Sequence, residues 1–148
     1  MSPETAQAER SDRAASAGEV DLAAVSAEVR AVFDAYEAAL LRHDNETLSQ
    51  FFWDSPHTIR YGIGEHSHGI DAIRSYRTDA PPVHPQRRLR ETVVIAFSAD
   101  SASACTQFLA PDTTLIGRQT QTWIRFPEGW KIVAAHVSHV NPDKLVVY

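Results

Sequence analysis

From Asp21 onward, apolar residues recur every three or four positions: Leu22, Val25, Val29, Phe33, Tyr36 and Leu40. That spacing describes one face of an amphipathic helix of about twenty residues. Asp21 stands where an N-cap belongs, and the helix should stop near His43-Asp44. Asp44 or Asn45 can cap a short second helix with Leu48, Phe51 and Phe52 on one side, and Pro56 breaks it. Residues 57–61 (His-Thr-Ile-Arg-Tyr) alternate like a short strand. Gly62, Gly64, Ser67 and Gly69 mark a loop, and a third helix is predicted from Ile70 to about Thr78, ended by Pro81 and Pro82.

The second half changes period. Four runs, over about 87–97, 101–109, 114–126 and 129–140, read as strands. Asp100-Ser101 and Pro127-Glu128-Gly129 are turn signals between neighbours, so the sheet should be antiparallel. Helices first and strands later give an α+β class: three helices packed on a curved antiparallel sheet. Residues 1–20 lack an apolar period and read as a flexible tail, leaving 21–148 as a single domain.

Composition narrows the picture. With 148 residues, 43% of them hydrophobic, the chain can build a core without a disulfide or a metal. Cys105 is the only cysteine, so an intrachain disulfide is impossible and a reducing, cytoplasmic location is expected. The net charge of −5 argues against nucleic acid as a partner. No secretory h-region and no membrane-length apolar run are present, so no membrane partner is expected. Twelve of the fourteen basic residues are Arg, whose planar fork suits carboxylates.

An ordered set of motifs carries a resemblance. Phe33-x-x-Tyr36-Glu37-x-x-Leu40 is followed by Phe52-Trp53, Arg60-Tyr61-Gly62-x-x-Glu65 and Gly69-x-x-Ala72-Ile73-Arg74. Then come Gly117-Arg118-Gln119-x-Gln121-Thr122-Trp123 and Gly129-Trp130-x-Ile132-Val133-Ala134-Ala135-His136-Val137-Ser138. Over about residues 21–140 the chain resembles the AtzH-like family, which includes the oxalurate-catabolism protein HpxZ. That family lies within the nuclear-transport-factor-2-like superfamily of cystatin-like cones. The resemblance implies a small cytoplasmic protein, usually a homodimer, encoded beside an amidase and using no cofactor. One member is a decarboxylating amidohydrolase that converts 1,3-dicarboxyurea to allophanate. The Tyr and Arg proposed as catalytic there fall on Tyr36 and Arg60. The superfamily's concave sheet face implies a pocket lined by Gln121, His136 and Gln119.

The chemistry of these residues can be read independently. Tyr36 lies on the apolar face of the first helix, either as a core tyrosine with its hydroxyl tied to a strand or as a donor to a substrate carbonyl. Arg60 alternates with Ile59 and Tyr61, either as a surface ion pair with Glu65 or as a clamp for a carboxylate or oxyanion. Glu65 is within reach of Arg60 and could orient it. Arg74 and Arg77 are further carboxylate candidates, and an exposed helix face explains both equally well. Gln119, Gln121 and Trp123 share one strand face, while Trp130, Ile132, Ala134, His136 and Ser138 share another. Amide side chains both donate and accept, as a urea-like ligand requires, although a polar network at a dimer interface would use the same residues.

Glu65-His66-Ser67-His68 matches no zinc spacing, so no metal is expected. Cys105 falls mid-strand, and no Gly-x-Ser-x-Gly elbow or phosphate loop exists. Two function classes remain. One is an amidohydrolase or decarboxylating C–N hydrolase acting on a small carboxylated urea or oxalurate-like acid. The other is a non-catalytic binding or accessory protein for a partner amidase.

Overall fold

A computed structural model describes residues 19–148. The tail expected over residues 1–20 therefore falls, up to residue 18, outside the described residues. The elements run α1 (Leu22–Leu41), α2 (Asn45–Gln50), β1 (Ile59–Tyr61), β2 (His66–His68), α3 (Ile70–Asp79), β3 (Arg88–Ser98), β4 (Ser101–Leu109), β5 (Ile116–Phe126), β6 (Gly129–Val140) and a closing 3₁₀ turn (Pro142–Lys144).

The first two helices begin where the sequence offers a side-chain cap. Asp21 accepts a hydrogen bond from the Ala24 amide at 3.1 Å, satisfying one of the free N–H groups of α1. Asp44 does the same for α2, accepting from the Thr47 amide at 3.2 Å and the Thr47 hydroxyl at 2.7 Å. Between them α1 ends on His43, whose φ of 55° lies in the left-handed region. The His43 amide donates to Leu40 and the Asp44 amide to Ala39, the paired bonds of a Schellman stop.

The sheet order is β2-β1-β6-β5-β4-β3. The four long strands are antiparallel, as their hairpin turns require. Two features lie beyond the predicted elements. The loop after β1 folds back as β2, pairing Tyr61 with His66 and Ile59 with His68. β1 also joins β6 in parallel, Arg60 opposite Ala135, so the six-stranded sheet is mixed. No turn links β1 to β6, so no local sequence signal sets their relative direction.

The helices cover one sheet face. Val25, Val29, Phe33, Tyr36 and Leu40 of α1 are buried against it, with Ala96, Ala102, Ala104, Trp123 and Ile132 beneath. Burying each large side chain contributes roughly 1.5–3 kcal/mol, so this face holds the domain together. Trp123 is fully buried and its indole N–H donates to Gln121 Oε1 at 3.1 Å. Small residues on β3 and β4 admit α1, and the larger side chains lie toward β5 and β6. Val93, Ile95 and Phe97 alternate on the opposite face of β3 and are exposed.

Candidate active site

The inner faces of α1 and α3, the segment after α3 and the curved sheet enclose a cavity of about 130 Å³. It is well below the roughly 300 Å³ of a drug-sized pocket, so it has room only for a small molecule. Arg60, Arg77 and Arg87 all line it, together with Gln119, Tyr76 and Phe108. Leu40, Leu48, Val83 and Val137 supply apolar wall.

Arg60 is the middle residue of β1, and the strand's alternation turns it inward while Ile59 and Tyr61 face out. It is 6% exposed, pairs with Glu65 and lies over the Tyr76 ring at 4.3 Å. The pair forms because the chain between its partners is bare. A Cβ on Gly62 would overlap the Glu65 carboxylate, and the Gly64 amide donates to Glu65 Oε2 at 3.2 Å.

Tyr36 comes from α1 and is 3% exposed. Its ring meets Phe51 and Phe52 edge-on, with centroids 5.7 and 6.2 Å away. Its hydroxyl accepts a 2.8 Å hydrogen bond from Nη2 of Arg77 on α3. Tyr36 does not itself line the cavity; Arg77 links it there. A guanidinium can only donate, so the hydroxyl proton of Tyr36 is left free by this bond.

Arg87, just before β3, is held most tightly. Its Nε and Nη2 each donate to Glu37 at 3.3 Å, and Glu37 Oε1 also accepts from Gln119 Nε2 at 3.0 Å. The guanidinium carbon lies 4.0 Å from the centroid of the Phe108 ring. That ring lies flat on the neighbouring strand at Gly117, where a Cβ would fall 2.1 Å from it. The ion pair is buried on both sides, and Gln119 adds hydrogen bonds to both partners, as a charge removed from water requires.

The structure brings together Tyr36, Arg60, Glu65 and Gln119 of the predicted residues and separates the others. Gln121 is 2% exposed, lies deeper than the cavity wall and is engaged by Trp123. His136 is exposed on the outer face beside Tyr61, with ring centroids 6.1 Å apart. The cause is a bulge: Thr122 pairs with Ala134 but Trp123 with Ile132, so Val133 is an extra residue. Beyond it the alternation inverts, turning Ala135 and Val137 inward and His136 outward. Arg74 is half exposed, pairs with Asp71 and Asp54, and lines an open groove of about 420 Å³ that adjoins the cavity and shares Asn45 and Arg77 with it.

Sequence reasoning missed Glu37, Arg87, Tyr76 and Phe108 as parts of the site. Glu37 adjoins Tyr36 in the helix motif, and a carboxylate on the buried face of a helix is the signal that could have found it. Arg87 sits in an irregular segment with no period to place it. Among the described residues no group of three or more His, Cys, Asp or Glu could hold a metal ion. No helix among them is long and apolar enough to cross a membrane.

Comparison with known proteins agrees with the fold. The AtzH-like family model matches residues 18–143. A solved structure from Pectobacterium atrosepticum, a DUF3225-family protein of unknown function, is 47% identical. It superposes with a TM-score of 0.77, covering 80% of this chain and 92% of its own. A cystatin-like fold protein from Burkholderia xenovorans is 48% identical with a TM-score of 0.77, over 78% of this chain and 92% of its own. An NTF2-like protein of unknown function from Pseudomonas putida shares 16% identity with a TM-score of 0.65, over 85% and 95% of the two chains, a likeness of fold alone. No curated protein matches the chain.

Proposed function

The chain belongs to the AtzH-like family, and from that premise we propose that it is a cofactor-independent C–N hydrolase. Its substrate is a small carboxylated urea or related amide acid, decarboxylated in nitrogen catabolism. The observation that carries this reading is the convergence of buried Arg60 and the Tyr36–Arg77 pair on one small cavity.

The chemistry needs no strong nucleophile. In an N-carboxylated urea the bond from nitrogen to the carboxylate carbon breaks, its electron pair stays on nitrogen and CO₂ leaves. The nitrogen then takes one proton. Confinement in a cavity this small strips water from the carboxylate and weakens the hydration that holds it in place. Arg60 provides a two-pronged donor for the carboxylate, and Gln119 can donate to and accept from the urea. Tyr36 lies behind the cavity wall and holds Arg77 in place through its hydroxyl, so that Arg77 faces the developing charge while the nitrogen takes its proton from water.

A second reading draws on the cavity lining itself, which contains no Ser, Thr, Cys or Lys. A lining without those four side chains also suits a protein that binds a carbamoylated intermediate for a partner amidase. The two readings separate when purified protein is given freshly made carboxylated urea and oxalurate-like acids, and CO₂ release is followed. Turnover by the protein alone supports the enzyme. Turnover only after an amidase is added supports the accessory role.

The same reading includes a cytoplasmic homodimer. Trp123 and Trp130 are both buried and offer no apolar surface to a second copy. Val93, Ile95 and Phe97 on the outer face of β3 take their place, 57%, 45% and 65% exposed, and a second copy of the chain is the proposed cover.

A further inference from the structure

Three guanidiniums line the cavity, and two have carboxylates of their own. Arg60 has Glu65 and Arg87 has Glu37. Arg77 has none: among the described residues its guanidinium makes one hydrogen bond, to the neutral oxygen of Tyr36. It is 5% exposed, and its Nε is buried with no acceptor. Arginine cannot shed its proton to escape such a site, so the charge persists. The cavity therefore carries one positive charge more than its own carboxylates cancel.

The two carboxylates differ in how firmly they are held. Glu37 is fixed by Arg87 and Gln119 and its side chain is 10% exposed. The Glu65 side chain is 29% exposed, on a short segment between glycines and β2, and holds Arg60 alone among the arginines. Arg60 and Arg77 also share a platform. Their guanidinium carbons lie 4.3 and 5.5 Å from the centroid of the Tyr76 ring, and those distances together cap the separation between them.

We propose that Arg77 is the primary anion anchor of this cavity, and that an acid with a carboxylate at each end takes Arg77 with one and replaces Glu65 on Arg60 with the other. The inference deepens the function proposed above and rests on it for the identity of the pocket. It selects, within that function, small dianions over monoanions such as an oxalurate-like acid. Arg77 acts as a binding residue here, and its bond to Tyr36 fixes the guanidinium in the cavity wall.

The test is equilibrium binding of unreactive acids, glutarate against butyrate, by calorimetry at one ionic strength. The wild type should bind glutarate at least about tenfold more tightly, since a second charge-assisted pair is gained. Arg77→Met should bring the two acids within about twofold of each other, and Arg77→Lys, the second variant should Met not fold, should lose about tenfold for glutarate by losing the fork. Equal affinities in the wild type, or a folded Arg77→Met or Arg77→Lys that keeps the full preference for glutarate, would overturn the proposal. Dianion preference without turnover of any carboxylated urea would leave the anchor standing and remove only the enzyme reading. Turnover of monoanionic acids with no dianion preference would do the reverse.

Discussion

Gly62 lies directly against the carboxylate of Glu65: a Cβ on Gly62 would fall 1.6 Å from Glu65 Oε1 and 2.7 Å from Arg60 Nη1. The ion pair that neutralises Arg60 thus depends on a missing side chain two residues along the strand. Gly62→Ala should push Glu65 off Arg60 and leave a guanidinium that is 6% exposed without its anion. A loss of about 1–3 kcal/mol is expected, read by urea unfolding. An unchanged midpoint would mean that Glu65 contributes nothing to the stability of Arg60.

Glu65→Gln separates two roles for that carboxylate. It keeps the shape and removes the charge, so stability should fall as in Gly62→Ala. If Glu65 competes with ligand for Arg60, affinity for glutarate should rise, by about tenfold for one charge-assisted pair released. A fall in affinity would show that Glu65 orients Arg60 for the ligand rather than guarding it.

The catalytic proposal rests on Tyr36 and Arg60. Tyr36→Phe keeps the ring that packs on Phe51 and Phe52 and removes only the acceptor for Arg77. The stability change should be about 1 kcal/mol, while the rate falls by about a hundredfold or more. Arg60→Lys keeps the charge and loses the fork, and should fall nearly as far, chiefly through substrate affinity. Wild-type rates in both folded variants, on a substrate that the parent turns over, would make the two residues structural.

Much of this frame was legible in the sequence because it rests on local periodicity. The face of α1 from Val25 to Leu40, the Asp21 cap and the β3–β4 and β5–β6 hairpins follow from spacing and turn residues alone. Tyr36 and Arg60 were singled out by the family resemblance, and the helix face and strand alternation placed them on their elements without deciding between a structural and a functional role. What was not legible depends on irregularity or distance. The extra residue at Val133 inverts a strand that otherwise alternates, so His136 was assigned to the wrong face. The Glu37–Arg87 pair joins residues fifty positions apart, and no local rule links them.

That pair supports a prediction of its own. Glu37→Gln leaves Arg87 buried beside Phe108 without a counter-charge, and should cost about 3–5 kcal/mol. Replacing both partners with apolar residues, Glu37→Leu with Arg87→Met, should recover most of that loss, because desolvation of two charges is removed together. A double variant no more stable than Glu37→Gln would place the cost in packing instead.

Asp44 gives a pH dependence whose sign can be worked out. Hydrogen bonds from the Thr47 hydroxyl and amide, with help from the Arg42 charge, lower its pKa below the ordinary 3.8. The folded state therefore binds the proton less readily than the unfolded state. Its contribution is fully present above the unfolded value and is lost as pH falls through the folded one. The melting temperature of Asp44→Ala should lie below the wild type at pH 6, and the gap should close as pH drops below 3.8. A gap that stays constant down to pH 2 would show that the charge of Asp44 is not what caps α2.

The outer face of β3 provides the last prediction. Val93, Ile95 and Phe97 present an apolar stripe on an edge strand, a surface that invites pairing unless it is covered. Light scattering at micromolar concentration should give twice the 16.4 kDa chain mass. Phe97→Lys removes the most exposed ring of the three and adds a charge at each copy's equivalent position, so a symmetric contact suffers twice. That variant should shift to the monomer mass while keeping its helical and strand signature by circular dichroism. A wild-type monomer would remove the dimer, and a Phe97→Lys variant that still runs as a dimer would move the contact away from β3 to another part of the surface.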